Sequence, residues 1–167
     1  ARAAIRWLGD RGVTSFAVCL LHSYANNVHE ECLRDLIREA YPEASISLSC
    51  EVLPVIGEYE RTSSTVINAY TQPIVERYLQ RLVERLEDIG LGCRLYLMQS
   101  GGGVTSVDTA RRFPVRLVES GPVAGVVAAS HFGRLSGARN VLSFDMGGTT
   151  AKAALIQDGQ IPITSEY

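Results

Sequence analysis

Basic residues do not outnumber acidic ones in this chain: 16 Lys and Arg stand against 18 Asp and Glu in 167 residues, for a formal net charge of −2. With no basic field, neither a nucleic-acid backbone nor an anionic membrane is a favoured partner. No apolar run approaches the ~20 residues a membrane-spanning helix needs, and the first residues lack the charged-then-apolar layout of a secretory signal. A cytoplasmic setting is therefore expected. The four cysteines, Cys19, Cys32, Cys50 and Cys93, form no C-x-x-C pair, which argues against a zinc ribbon and a disulfide framework. His22, His29 and His131 are scattered without metal-ligand spacing, and they support no Ser–His–Asp arrangement. What is present is 46% hydrophobic and 20% charged residues, the make-up of a globular chain that can bury a core.

The order of elements reads as α/β. Ala1 to Leu8 is helix-forming with no capping residue before it, so the chain is expected to begin inside a helix. Val13 to Leu21 reads as a strand buried on both faces, Asn26-Asn27 as the cap of a helix ending near Ala40, and Ile46 to Leu48 as a second strand extending toward Leu53. Helix, strand, helix, strand predicts parallel pairing. From Glu58 to Ile89 the residues Val66, Ile67, Tyr70, Ile74, Tyr78, Leu82, Leu86 and Ile89 recur at helical spacing, and Pro73 predicts a kink or break. Arg94 to Met98 reads as a third strand, Gly101 to Gly103 as a loop, Ser106 as the cap of a short helix, and Ser120-Gly-Pro122 as the start of a small-residue helix ended near Gly137.

The last thirty residues read as a meander: strands at Val141–Phe144, Ala151–Gln157 and Gln160–Thr164, with Asp158-Gly159 as a type I′ turn. Three strands alone would leave one sheet face uncovered. Between the first two lies Asp145-Met-Gly-Gly-Thr-Thr150. Gly147 and Gly148 lack Cβ atoms and let phosphate oxygens approach the backbone, the hydroxyls of Thr149 and Thr150 add donors, and Asp145 would face a magnesium ion directly or through its waters. Lys152, two residues on, either reaches a phosphate oxygen or is a solvated strand residue. A P-loop is excluded, because G-x-x-x-x-G-K-[ST] is absent and a strand, not a helix, follows Gly148. The bland alternative is a plain hairpin turn with an incidental aspartate.

Leu142-Ser-Phe-Asp-Met-Gly-Gly-Thr-Thr-Ala-Lys-Ala-Ala-Leu-Ile156 resembles the phosphate motif that opens the second ATPase lobe of the hydantoinase A/5-oxoprolinase/acetone carboxylase family. Gly57-Glu-Tyr-Glu-Arg-Thr-Ser63 with Asn68-Ala-Tyr70, Met98-Gln-Ser-Gly-Gly-Gly103 and Ser120-Gly-Pro-Val-Ala-Gly125 resemble further hallmark stretches in the same order, so the likeness covers essentially the whole chain. Ala151 and Lys152 depart from the Thr and Asp of many relatives, and Gly101 from their Asn. The resemblance implies a partial RNase-H-like (actin-like ATPase) fold: residues 1–137 as the back of a first lobe and 138–167 as the start of a second. It further implies ATP and Mg²⁺ as cofactors. The activity implied is ATP-driven opening of a cyclic amide of the hydantoin or 5-oxoproline type, with a ketone carboxylase or a non-catalytic nucleotide-binding module as alternatives. A second, hydantoinase B-type subunit is the implied partner. A first phosphate hairpin would precede this chain and an adenosine-binding segment would follow it, so the isolated chain is expected to be inactive.

Four more residues, Glu58, Glu60, Arg61 and Ser100, are candidates for substrate contact, and a fifth, Ser120, for a place in the cleft. Glu58, Glu60 and Arg61 open the long helix, where the carboxylates either favour the positive helix end or, with Arg61, face the interlobe cleft. Ser100 begins a glycine loop that is either a plain connection or a second close-approach loop. Ser120 reads as a helix cap, with a cleft role as the alternative.

Overall fold

The computed structural model describes residues 1–163, an α/β chain that divides into two compact units. Unit one comprises Ala1–Leu95 and Val107–Val115; unit two comprises Tyr96–Ser106 and the chain from Arg116 onward. The packing thus groups residues 116–137 with the terminal hairpin, while the expected division at 137 concerns ATPase lobes.

Unit one is built on a parallel pair, β1 (Ser15–Val18) and β2 (Ser45–Leu48), in the register Ser15↔Ser45 to Val18↔Leu48. The crossover is α2 (Val28–Ala40), which makes the expected βαβ unit. Phe16, Val18 and Leu48 project to one side and pack with Ile5 of α1 (Arg2–Gly9) and Ile37 of α2; Tyr41 stacks on Phe16 with ring centroids 6.1 Å apart. Both strands are shorter than expected. The chain after Leu48 turns directly into the single-turn helix α3 (Ser49–Val52) instead of extending to Leu53.

The other side of the strand pair carries Ser15, Ser45 and Ser47, and against it lies α4 (Glu58–Asp88). Here the structure overturns the expected apolar face. The residues α4 buries are Arg61, Thr65, Asn68, Ala69 and Leu79, while Val66, Ile67, Tyr70, Ile74, Tyr78 and Ile89 are exposed, Tyr70 to 76%. A serine-lined sheet face needs hydrogen-bonding partners. Asn68 Nδ2 donates to Ser47 Oγ (2.9 Å) and to the Arg112 carbonyl (3.0 Å), and Ser47 Oγ donates to Gln72 Oε1 (3.1 Å). Helix α4 also runs unbroken through Pro73. A proline at 73 leaves the Ala69 carbonyl without its helical donor. Ser15 Oγ supplies the replacement at 2.6 Å.

Among the described residues, unit two contains two antiparallel hairpins and one long helix. β3 (Tyr96–Met98) pairs with β4 (Val104–Ser106), a strand the sequence reading missed, and α5 (Val107–Arg112) follows in unit one. Helix α6 (Ser120–Leu135) packs on β5 (Val141–Met146). It ends in a Schellman turn, with Ala138 N–H donating to Gly133 O and Gly137 N–H to Arg134 O, Gly137 having φ +77°. Gly133 is required for another reason: a Cβ there would lie 2.6 Å from Val141 Cγ2. Its start differs from expectation, since Ser120 is the first helical residue and the N-cap is Glu119, whose φ of +63° is left-handed.

β5 pairs with β6 (Ala151–Ile156) from Val141↔Ile156 to Met146↔Ala151. The turn at Asp158-Gly159 has φ values of +49° and +75°, positive at both central residues as type I′ demands. The expected third strand is reduced to a Gln157–Gln160 bridge, with no strand across Ile161–Ile163; Thr164 lies outside the described residues. Pro162 has no N–H for a ladder. One face of the β5–β6 hairpin, carrying Leu142, Phe144 and Met146, is exposed, in line with the uncovered sheet face expected.

Candidate functional site

The turn joining β5 to β6 spans residues 147–150 and closes through Gly147 N–H donating to the Thr150 carbonyl at 2.9 Å. All four residues are exposed. The N–H groups of Gly148, Thr149 and Thr150 donate to no protein acceptor among the described residues. A Cβ at Gly148 would meet nothing within 4 Å, so open space lies over the backbone. Unpaired donors on an accessible glycine turn suit an anion with several oxygens, such as a phosphate chain.

Asp145, one residue before Met146 at the end of β5, stands in register with Lys152 on β6. Strand alternation places both with Ser143 and Ala154 on the side facing α6, and these four residues line a hollow of about 150 Å³ with Pro122, Val123 and Val126. Asp145 is exposed, and Lys152 forms an ion pair with Glu119 at the start of α6. No three His, Cys, Asp or Glu side chains converge among the described residues. A magnesium ion at Asp145 would accordingly rely on waters and phosphate oxygens for its other ligands, the way this ion is ordinarily held. The residues present therefore fit a magnesium–phosphate group: one accessible carboxylate, a cradle of backbone donors, two hydroxyls and one ammonium.

The other expected site residues divide. Glu58 and Glu60 are exposed in the first turn of α4, and the Glu60 carboxylate folds over Gly57, where a Cβ would lie 2.1 Å from Glu60 Oε2. Arg61, in contrast, is wholly buried in unit one. Its Nη1 donates to Ser23 Oγ and lies 3.5 Å from Ser49 Oγ, and Tyr24 lies beside the guanidinium at 5.6 Å. Ser100 belongs to unit two and ties its loop together: its N–H donates to the Arg116 carbonyl at 2.8 Å, and its hydroxyl reaches the carbonyls of Arg116 and Val118, donating to one at a time.

Sequence reasoning missed the hub beneath Arg61, the fully buried Glu30. Its carboxylate accepts from Ser49 Oγ (2.6 Å), Leu20 N–H (2.8 Å) and Cys50 N–H (3.0 Å), joining α2 to the carboxyl ends of β1 and β2. Burial alone would raise its pKa, but the hydrogen bonds from Ser49, Cys50 and Leu20 outweigh burial and hold it below the ordinary glutamate value. Ser49 thereby links the Glu30 carboxylate to the Arg61 cation. Glu30 sits two residues into a polar, exposed-looking helix start, so periodicity carried no signal for it. Glu119, the left-handed N-cap of α6 whose carboxylate pairs with Lys152, was equally silent.

Residues 61–167 match the model of the hydantoinase/oxoprolinase family, and residues 1–41 match that family's N-terminal region. The chain belongs to the hydantoinase/oxoprolinase family. Within this family it is 33% identical over 165 residues to the acetophenone carboxylase gamma subunit of Aromatoleum aromaticum, covering 96% of this chain and 22% of that protein. Among solved structures it is similar to nucleotide-free acetone carboxylase (29% identity, TM-score 0.85, 95% of this chain and 23% of that one). It is similar also to the ATP-dependent caprolactamase of Pseudomonas jessenii (33% identity, TM-score 0.81, 92% and 22%). The chain thus spans less than a quarter of the length of these hydantoinase/oxoprolinase relatives. They include an ATP-dependent caprolactamase and ketone carboxylases, the two activity classes that the family resemblance implied.

Proposed function

We propose that this chain contributes one phosphate-binding jaw to an ATP-dependent enzyme that opens a cyclic amide of the hydantoin or 5-oxoproline type. The observation that carries the reading is the exposed 147–150 turn, with its unpaired N–H groups next to the accessible Asp145 carboxylate. The N–H groups of residues 148–150 and the hydroxyls of Thr149 and Thr150 would bind phosphate oxygens, Asp145 would hold Mg²⁺ directly or through its waters, and Lys152 would neutralise phosphate charge. ATP would supply the phosphoryl group that activates the amide carbonyl toward water, so that the ring C–N bond breaks with the nitrogen leaving as amine and phosphate is released on hydrolysis of the acyl phosphate; positioning and charge neutralisation would be left to the protein.

In this reading the fold is part of an RNase-H-like ATPase, with residues 138–167 opening its second lobe and the preceding residues closing its first. Glu58, Glu60 and Ser100 are the exposed candidates for contact with substrate. A second, hydantoinase B-type subunit is the proposed partner; the relative from Aromatoleum aromaticum is itself named as one subunit of an enzyme, which supports a multi-subunit assembly. A cytoplasmic setting accords with the absence, among the described residues, of a helix long and apolar enough to cross a membrane. The similarity to acetone carboxylase supports a second reading, ATP-dependent carboxylation of a ketone.

ATP hydrolysis by the full-length protein with its partner subunit separates the readings. Stimulation by hydantoin or 5-oxoproline is the expected result. Stimulation only by a ketone with bicarbonate would move the assignment to the carboxylases, and slow turnover indifferent to all of them would overturn the enzyme reading.

A further inference from the structure

Lys152 is the only lysine in a chain whose other basic residues are all arginine. Lysine differs from arginine in being a compact point charge on a flexible stem, which can leave one partner for another without losing a bidentate geometry. Its ammonium is paired with the Glu119 carboxylate, and both side chains are substantially exposed, at 39% and 57%. Pairs of this kind are worth less than about 1 kcal/mol and exchange readily. Glu119 is held in place by its setting: it is the N-cap of α6 with φ +63°, a left-handed conformation unusual for a residue with this side chain. Strain of that sort is found where the surrounding structure fixes a group for use.

The same lysine stands opposite Asp145 and two residues from Thr150, which on a strand is about 7 Å from the phosphate turn and within the span of its side chain. Besides Asp145 across the strand pair, Lys152 therefore has two competing acceptors, the Glu119 carboxylate and whatever anion occupies the turn.

We propose that Glu119 is a positioning residue that sets nucleotide affinity by holding Lys152 away from the phosphate site. Lys152 exchanges Glu119 for a phosphate oxygen when the nucleotide binds. The inference rests on the phosphate reading of the 147–150 turn. It makes a prediction of opposite signs that a purely structural ion pair would not: removing Glu119 strengthens binding, whereas removing Lys152 weakens it.

The test is titration of the full-length protein with Mg²⁺ and a non-hydrolysable ATP analogue, at low and high salt, with melting temperature recorded for each variant. Glu119→Gln is expected to tighten Kd by about threefold and Lys152→Met to weaken it by about threefold or more, factors typical of exposed charge pairs. Glu119→Gly, which also relieves the positive φ, should behave as Glu119→Gln, and the double variant Glu119→Gln/Lys152→Met should match Lys152→Met alone. High salt should shrink all of these differences. Shifts of the same sign for the two single variants, or no effect of Glu119→Gln, would overturn the inference. Asp145→Asn separates the two levels: if it abolishes binding while Glu119→Gln changes nothing, the positioning role alone fails. If Asp145→Asn has no effect either, the phosphate reading fails and takes this inference with it.

Discussion

Each unit places carboxylates beside a cation, yet the two arrangements have little else in common. In unit one Glu30 and Arg61 are fully buried, and the carboxylate is saturated by three hydrogen bonds from two strand ends. In unit two Asp145 is exposed beside a glycine turn, and Lys152 is shared between an exposed glutamate and open space. The enclosed carboxylate ties α2 to the two strand ends, and Arg61 of α4 joins it through Nη1 alone, its Nε and Nη2 having no hydrogen-bond partner among the described residues. A charge left accessible next to unpaired backbone donors is free to bind something else. The difference accords with an architectural role for the first cluster and supports the proposal that the second binds phosphate.

The largest effect that would test this contrast concerns Cys50, beside the buried hub. Burial first, and then the Glu30 carboxylate, pushes its thiol up to about 12. Because the thiolate is the reactive form, alkylation of Cys50 near pH 8 should be slower than that of exposed Cys32 and Cys93 by on the order of a thousandfold. Mass-spectrometric labelling of the native protein checks it, and labelling of Cys50 at rates like those of Cys93 would break the picture of a closed unit.

Next in size is Glu30→Gln, which removes the charge from the acceptor of three hydrogen bonds, one of them from the Ser49 hydroxyl that also lies 3.5 Å from Arg61 Nη1. The expected loss is about 3 kcal/mol of stability or more, read from urea denaturation of the full-length protein, since hydrogen bonds to a charged group are each worth about 1.5–3 kcal/mol. The sign of the pH dependence follows from the lowered folded-state value of Glu30: its stabilisation is present above the ordinary carboxyl value of 4.5 and is lost as pH falls through the lower folded value. The gap between wild type and Glu30→Gln should accordingly close in that acid range and not at neutral pH.

Ser15→Ala is a smaller change that sharpens the same point. It removes the donor to the Ala69 carbonyl and should cost about 1–3 kcal/mol, the penalty of a buried unpaired carbonyl. Adding Pro73→Ala restores a backbone N–H at 73 and should recover part of that loss, so the two substitutions are expected to be non-additive. The smallest effect on stability belongs to the open unit: Asp145→Asn and Thr149→Ala should each stay within about 0.5 kcal/mol of wild type.

Much of this arrangement was legible in the residues. Parallel β1–β2 pairing followed from helix and strand order, and the type I′ turn from Asp158-Gly159, because each depends on local chemistry that the chain states outright. The Asp145–Thr150 motif could be placed on a strand–turn–strand for the same reason. The buried face of α4 could not be read from apolar periodicity, since the partner surface is polar; the overlooked signal was small residues at alternate positions, Ser15 and Ala17 in one strand and Ser45 and Ser47 in the other. Pro73 misled because the compensating hydroxyl comes from a residue 58 positions earlier in the chain, and proximity of that kind is a tertiary fact. The Glu58–Glu60–Arg61 cluster reads as one charged group in sequence, but one step along a helix turns Arg61 inward and leaves both glutamates in solvent.

The central claim is that Asp145 serves a bound group and not the fold. Its most direct test is Mg²⁺-dependent nucleotide binding to full-length wild type and Asp145→Asn, measured by calorimetry alongside the melting temperature of each. The predicted result is a loss of at least about tenfold in affinity with an unchanged melting temperature, consistent with removal of a charge-assisted metal contact worth roughly 1.4 kcal/mol or more. Unchanged affinity, or a fall in melting temperature that accounts for the lost binding, would contradict it.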